Sequence, residues 1–176
     1  SIRLVGSEMC IRDRPDINLL HDPFLMKDMK KVVEKIQNLK EHRIMILGDY
    51  DVDGTTSTAM LYKYFKNMGY DLLYYIPDRY EEGYGVSEKA IEHAEINKVS
   101  LIITVDCGIK AIHQVDLSNS KNIEVVICDH HLPGEQIPNA FGILNPKQEN
   151  CNYPFKELCG CGIAYKLITA HNTLVE

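Results

Sequence analysis

The stretch Ile44-Met45-Ile46-Leu47-Gly48-Asp49-Tyr50-Asp51-Val52-Asp53-Gly54 sets a four-residue apolar run directly against three acids at alternate positions. A run that short, bounded by Gly and acid, reads as a buried strand, so the acids fall where the strand ends. Two further runs close the same way. Leu101 to Val105 ends on Asp106, and Val125 to Cys128 ends on Asp129, followed by His130 and His131. Between them lie helical patterns at Thr55 to Asn67, closed by Gly69, at Ser87 through Ala94 and at Ile109 to Leu117, with another short run at Leu72 to Ile76. This alternation specifies the α/β class: a parallel sheet with helices on both faces, in a Rossmann-like rhythm.

Working outward, Asp22-Pro23 reads as a helix N-cap followed by Pro at the first helical position, and Met26, Met29, Val33, Ile36 and Leu39 follow at helical spacing. Downstream, Pro133, Pro138, Pro146 and Pro154 punctuate loops around a strand at Phe141 to Leu144, and a final helix is expected from Gly162 to Leu174. Residues 1–14, SIRLVGSEMCIRDR, have neither periodicity nor turn logic and read as a non-native leader, the MCIRDR string resembling translated adapter sequence. Residues 15–176 then form one domain, and both ends of the chain read as cut.

With 176 residues, 45% of them hydrophobic and 25% charged, the chain can bury a sizeable core, which excludes disorder and collagen-like repeats. No apolar run approaches the roughly 20 residues of a membrane span, and the start lacks a secretory signal, so no membrane association and a cytoplasmic location are expected. Six cysteines in a chain with ample apolar runs read as reduced thiols, not a disulfide framework. The net charge of -6 does not advertise a nucleic-acid surface, an objection that weakens if the acids gather around cations.

In an open parallel sheet the carboxyl ends of the strands share one rim, so Asp49, Asp51, Asp53, Asp106, Asp129, His130 and His131 should converge there. Unpaired, such a set would repel strongly; two divalent cations would offset most of its negative charge. Oxygen donors suit magnesium, calcium or manganese, and imidazole moves the preference toward manganese, with magnesium as a substitute. Two such ions about 4 Å apart can activate water and stabilise a phosphoryl transition state. Taken singly, an Asp after a strand is more often a turn former or helix N-cap, and it is the convergence that favours a metal site.

The acidic string admits three readings. As a calcium EF-hand loop starting at Asp49 it fails, because the twelfth position is Met60 and not Glu, and because a strand precedes it. Asp51-Val-Asp53-Gly-Thr55 also resembles the first motif of haloacid-dehalogenase-type phosphatases, with Asp51 as nucleophile, which leaves Asp49 and the 129–131 triplet unexplained. The third reading uses all of them. GDYDVDGTTS, VDCG, CDHH and CGCGIAYKL, in this order, resemble the motifs of the DHH phosphoesterase superfamily, and with HDPFLMKDM, IPDRYEEGYG and NPKQENCNYPFKELCGCG they resemble its RecJ branch of single-strand DNA exonucleases over residues 19–176.

That resemblance implies Asp49, Asp51 and Asp53 as first-motif ligands, Asp106 as the bridge between two Mn2+ or Mg2+ ions, and His130 completing a metal shell. It leaves Asp129 as a ligand or as the group that orients His130, and turns His131 toward the scissile phosphate. Asp106, His130 and His131 are the expected catalytic residues. Gly160, Cys161 and Gly162, ahead of the last helix, are candidates to hold phosphate on free N–H groups, against an ordinary reading of close packing at a helix entry. Arg79 is a phosphate contact or a solvated turn residue, and Tyr80 and Tyr84 stack on bases or pack. Cys151, Cys159 and Cys161 lack the paired spacing of a zinc site.

The implied activity is 5' to 3' hydrolysis of single-stranded DNA in repair and recombination, with a single-strand-binding protein and a helicase as partners. The fourth motif of such enzymes, with its further acidic ligand, and their later substrate-binding domains are absent from this sequence. Alternatives are an oligonucleotide or cyclic-dinucleotide phosphodiesterase of the same superfamily, and an inactive nucleic-acid-binding relic.

Overall fold

Ile44, Met45, Ile46 and Leu47 are all fully buried, as expected of a strand covered on both faces. The computed structural model describes residues 20–175, so the leader reading of residues 1–14 lies outside the described residues. Five strands, Arg43–Gly48 (β1), Asp71–Tyr75 (β2), Val99–Val105 (β3), Glu124–Cys128 (β4) and Gly142–Leu144 (β5), form one parallel sheet in the order β2-β1-β3-β4-β5. The helices are Met29–Gln37 (α1), Val52–Asn67 (α2), Glu88–Ile96 (α3), Ile112–Ser120 (α4) and Gly160–Val175 (α5).

Alternation along each strand sorts the core into two layers. Ile44, Ile46, Leu101, Ile103 and Val126 pack with Val33 of α1, Phe65 of α2 and Leu167 of α5. Met45, Leu47, Ile102, Val125 and Ile127 face the other way, against Ala90 and Ala94 of α3 and Val115 of α4. The α/β reading and the parallel sheet covered on both faces are therefore present.

Register fixes the functional edge. Gly48 pairs with Val105 and Val105 with Cys128, so Asp49, Asp106 and Asp129 each stand one residue beyond a paired row. β1 and β3 are also where the strand order reverses, the switch point at which open parallel sheets leave a ligand crevice.

Four elements depart from the sequence expectation, the first being α2, expected from Thr55, which begins at Val52 because the Asp51 side chain caps it there. The helix expected from Asp22-Pro23 is a single 3-10 turn, Pro23–Leu25, capped by the Asp22 side chain; the chain then extends at Met26, and α1 starts at Met29. Asp28, at φ 68°, makes the break, and its carboxylate accepts from the Ile143 N–H, tying α1 to the edge strand β5. The helix expected from Ile109 begins at Ile112, after a turn in which the Ala111 N–H donates to the Gly108 carbonyl and the Ile109 N–H to Asp129. The last helix begins at Gly160, two residues before Gly162, because its first N–H groups are held by Asp53.

Candidate functional site

The turn after β1 is built by its own acids. Asp51 caps α2, its Oδ1 accepting from the Gly54 N–H at 2.8 Å, so the ordinary N-cap role of an Asp is filled here by a residue that also faces the rim. Gly54 is required by contact: a Cβ there would lie 2.5 Å from the Asp49 carbonyl oxygen. The first turn of α2 thus presses onto the strand end and holds Asp49 inward, 1% exposed.

Asp53, at the next alternate position, points along α2 to another element. Its Oδ2 accepts from the Gly160 N–H at 2.6 Å and its Oδ1 from the Cys161 N–H at 2.8 Å. These are orphan donors of the α5 N-terminus, and the helix dipole favours the anion. Burial works against ionisation of Asp53, but the N–H bonds from Cys161 and Gly160 outweigh it and hold the carboxyl below its ordinary value. The N–H groups expected to hold phosphate are thus occupied at Gly160 and Cys161 by a carboxylate of the same site. Gly160 also has no room for a side chain, since a Cβ would meet Asp106 Oδ1 at 2.9 Å.

Asp106 is 2% exposed and sits at φ 62°, a left-handed conformation that costs a non-glycine residue on the order of 1–3 kcal/mol. Burial first, then the charges of Asp53 and Asp51, push its carboxyl up to about 8. Burial likewise raises Asp49, offset in part by N–H bonds from Tyr50 and Gly85. Among the described residues Asp49 Oδ1 is buried without a hydrogen-bond partner, and Asp106 Oδ1, also buried, has the His130 ring beside it and no hydrogen bond of its own. His130 Nε2 lies 3.0 Å from Asp106 Oδ1 and 3.9 Å from Asp53 Oδ2.

Asp129 is fully buried with both oxygens engaged. Oδ2 accepts from the Ile109 N–H at 2.9 Å; Oδ1 accepts from the His131 N–H and faces His131 Nδ1 at 2.7 Å. An ionised carboxylate only accepts, so Nδ1 carries the ring proton and Nε2 presents its lone pair, with the Tyr84 hydroxyl 3.5 Å away. The imidazole that Asp129 orients is therefore His131, and not His130 as the sequence suggested. The Tyr84 hydroxyl donates to the Asp106 carbonyl oxygen at 3.1 Å and lies 3.4 Å from His131 Nδ1.

Among the described residues two sets of donor atoms emerge, each within 4.8 Å of one another: Asp49, Asp51 and Asp106, and Asp106, His130 and His131. Asp106 belongs to both. One set is all oxygen, the other one oxygen and two nitrogens, a combination that suits Mn2+ or Mg2+. The unpartnered Asp49 oxygen is the second sign that the site fits cations, since a buried carboxylate oxygen without a partner is costly. Asp53 and Asp129 stand outside both sets, each holding a neighbour in place.

Arg79 lies over the Tyr50 ring, 5.3 Å from its centroid, and Tyr50 meets Tyr84 edge to face. It is thus at the border of the site, exposed and without a carboxylate partner among the described residues. Gly162 lies in the first turn of α5, packed toward Leu158. Asn145, absent from the sequence reading, directly follows β5 and donates to the His131 carbonyl oxygen at 2.9 Å. Its signal was the NPK turn, quoted above only as context.

Comparison with known proteins agrees with this arrangement. The model of the DHH family, N-terminal domain, matches residues 43–175. The single-stranded-DNA-specific exonuclease RecJ of Bacillus subtilis (strain 168) is 44% identical over 158 residues, which are 89% of this chain and 20% of that protein. Exonuclease RecJ bound to manganese superposes with a TM-score of 0.73 at 30% identity, over 85% of this chain and 38% of that one. RecJ from Thermus thermophilus in complex with Mn2+ gives 0.74 at 26% identity, over 92% and 22%. The chain spans about a fifth of the length of the B. subtilis relative.

Proposed function

The chain belongs to the DHH family, and from that membership we propose that it is the catalytic core of a metal-dependent 5' to 3' single-stranded DNA exonuclease of the RecJ type. The observation that carries the reading is Asp106, buried and shared between two donor sets, at the switch point of the sheet.

Mn2+ or Mg2+ ions, when bound, supply an activated water and positive charge against the phosphodiester. Asp49, Asp51 and Asp106 would hold one ion, and Asp106, His130 and His131 the other. Asp129 keeps the His131 proton on Nδ1 and so keeps Nε2 turned outward. Asp53 binds α5 to α2, which sets Gly160 against Asp106 and excludes side-chain bulk from beside it. Arg79, preorganised on Tyr50, is placed to meet a phosphate of the strand. The haloacid-dehalogenase-type reading of Asp51 gives way to the family membership.

A strand substrate, a role in DNA repair and recombination, and partners such as a single-strand-binding protein and a helicase are part of the same proposal, as is a cytoplasmic location. Among the described residues no helix is long and apolar enough to cross a membrane, and Cys107, Cys128 and Cys151 are buried free thiols, in keeping with a reducing compartment.

Calorimetric titration of the chain with Mn2+, beside Asp106→Ala, tests the site. Two binding events in the parent, both weakened in the variant, are expected; one event unaffected by the variant would refute a shared Asp106. End-labelled single strands, set against short oligonucleotides and cyclic dinucleotides, test the substrate: faster loss of the small substrates would overturn the strand-exonuclease reading.

A further inference from the structure

Residues 76–87 join the edge strand β2 to α3. Tyr75, the last residue of β2, pairs with Leu47, so the segment leaves the sheet level with the end of β1 and runs along the rim. It meets the rim at two residues of the all-oxygen donor set. The Gly85 N–H bonds to the Asp49 carboxylate, and the Tyr84 hydroxyl donates to the Asp106 carbonyl oxygen at 3.1 Å. Gly83 and Gly85, at φ 80° and 86°, turn the backbone on either side of Tyr84, a conformation that glycine adopts freely. Asp106 holds its own left-handed conformation only because its surroundings over-determine it, and the Tyr84 bond is one of those restraints.

The segment is held in this shape by a carboxylate that neither donor set uses. Glu82 is half-buried, with both oxygens engaged. The Tyr75 hydroxyl lies 2.9 Å from each of them, the Asp78 N–H donates to Oε1 at 2.9 Å, and the Ser87 hydroxyl donates to Oε2. Tyr75 ends β2 and Ser87 caps α3, so Glu82 ties both ends of the segment to its middle. The Glu82 N–H adds a further tie, donating to the Asp78 carbonyl oxygen at 2.9 Å. Burial works against ionisation of Glu82, but the bonds from Ser87, Asp78 and Tyr75 outweigh it and hold the carboxyl below its ordinary value. Burial, and then Glu82 itself, push the Tyr75 hydroxyl up to about 12, so it stays a donor. Tyr84 and Gly85 follow almost directly along the chain, so what fixes Glu82 also fixes the two groups that touch Asp106 and Asp49.

Resting on the metal reading above, we propose that Glu82 is a positioning residue: by pinning residues 76–87 it keeps the Gly85 N–H on Asp49 and the Tyr84 hydroxyl on Asp106, and so presets two donors of the all-oxygen set. Glu82 itself stands outside both sets and acts through Tyr84 and Gly85.

The test compares the 176-residue chain with Glu82→Ala, Glu82→Gln, Tyr84→Phe and the double variant Glu82→Ala/Tyr84→Phe. One arm is metal-free: amide hydrogen exchange at Gly85, followed by NMR, beside urea midpoints. The other is calorimetric titration with Mn2+. Glu82→Ala is expected to speed Gly85 exchange and to weaken Mn2+ binding, each by roughly tenfold, the scale of one lost hydrogen bond. Glu82→Gln keeps an acceptor for the Asp78 N–H and should fall between parent and Glu82→Ala, which also lets it decide the matter if Glu82→Ala does not fold. Tyr84→Phe should weaken Mn2+ too, and the double variant should lose less than the two single changes combined, because they share a route.

Unchanged Gly85 exchange in both Glu82 variants overturns the proposal. So does a lowered urea midpoint with unchanged Mn2+ affinity, the mark of a carboxylate that serves stability alone, and so do fully additive losses in the double variant. A parent chain that takes up no Mn2+ refutes the metal reading instead. Gly85 exchange then decides by itself whether Glu82 holds the segment on the rim: faster exchange in Glu82→Ala supports it, and unchanged exchange overturns it.

Discussion

Helices α2 and α5 lie side by side in the same direction, and the polar clusters at their two ends obey opposite rules. At the C-terminal ends His171 is fully buried, with Nδ1 3.1 Å from the Tyr64 hydroxyl and Nε2 3.0 Å from the Tyr70 hydroxyl, and Phe65 packs edge to face against its ring. Both ring nitrogens are paired, and every partner is uncharged. At the N-terminal ends the same helices bring Asp51 and Asp53 beside Asp49 and Asp106, where the buried Asp49 Oδ1 goes without a partner and Asp106 Oδ1 makes no hydrogen bond, only an approach to His130. A polar group buried for stability is paired; one kept for chemistry is left poised for something not part of the chain. The two ends teach this more sharply than either alone, since they share a helix pair and a core.

The largest expected effect breaks the comparison at the unsatisfied end. Mn2+ at about 100 times its dissociation constant should raise the unfolding free energy of the chain by about 2.7 kcal/mol for each of the two sites, because the folded site binds it and the unfolded chain has no assembled donors. Asp106→Asn should lose that increment, since the residue serves both donor sets. Urea titrations with and without Mn2+ measure it; an equal increment in the variant would mean that the orphaned oxygens are not the metal's partners.

Next in size is a change at the satisfied end. His171→Phe keeps a ring of similar bulk but leaves the Tyr70 hydroxyl buried without a partner and strips another from Tyr64, a cost of about 2 kcal/mol. The Mn2+ increment should be the same as in the parent. A loss of the increment in this variant would show that the two ends are coupled along α2 and α5 and do not follow separate rules.

The rim was legible in the sequence because its signal is local. Each acid follows a short apolar run, parallel strands put such ends on one edge, and the register delivers Asp49, Asp106 and Asp129 to the same level. What stayed hidden depends on contacts between distant segments. Nothing in GDYDVDG tells that Asp53 reaches across 107 residues to the Gly160 N–H, which removes it from the donor sets and starts α5 two residues early. In CDHH the pairing of Asp129 with the nearer or farther His is settled by the turn that follows β4, and it falls on His131. The helix expected from Asp22-Pro23 failed for a similar reason: Asp28, an ordinary residue in a helical pattern, is committed to β5. Nothing local marks His171 within the expected last helix, since its tyrosine partners lie some hundred residues upstream.

The smallest expected effect is a slope. Burial, and then the nearby Lys40 charge, hold His171 below the ordinary histidine value, so the folded protein keeps the ring neutral where the unfolded chain takes up a proton. Below about pH 6.5 the unfolded state therefore binds more protons, and stability falls as pH falls. The contribution is fully present above that pH and is lost as pH drops through the folded value. His171→Phe has no such proton to exchange, while the carboxylates at the other end titrate in both proteins and cancel in the comparison. The stability gap between parent and variant should thus be widest near pH 7.5 and narrow toward about pH 5.5, as read from urea midpoints in metal-free buffer. A gap that stays constant across that range would mean that the ring takes up its proton as readily inside the fold as outside it. The satisfied end would then be no more closed to charge than the rim.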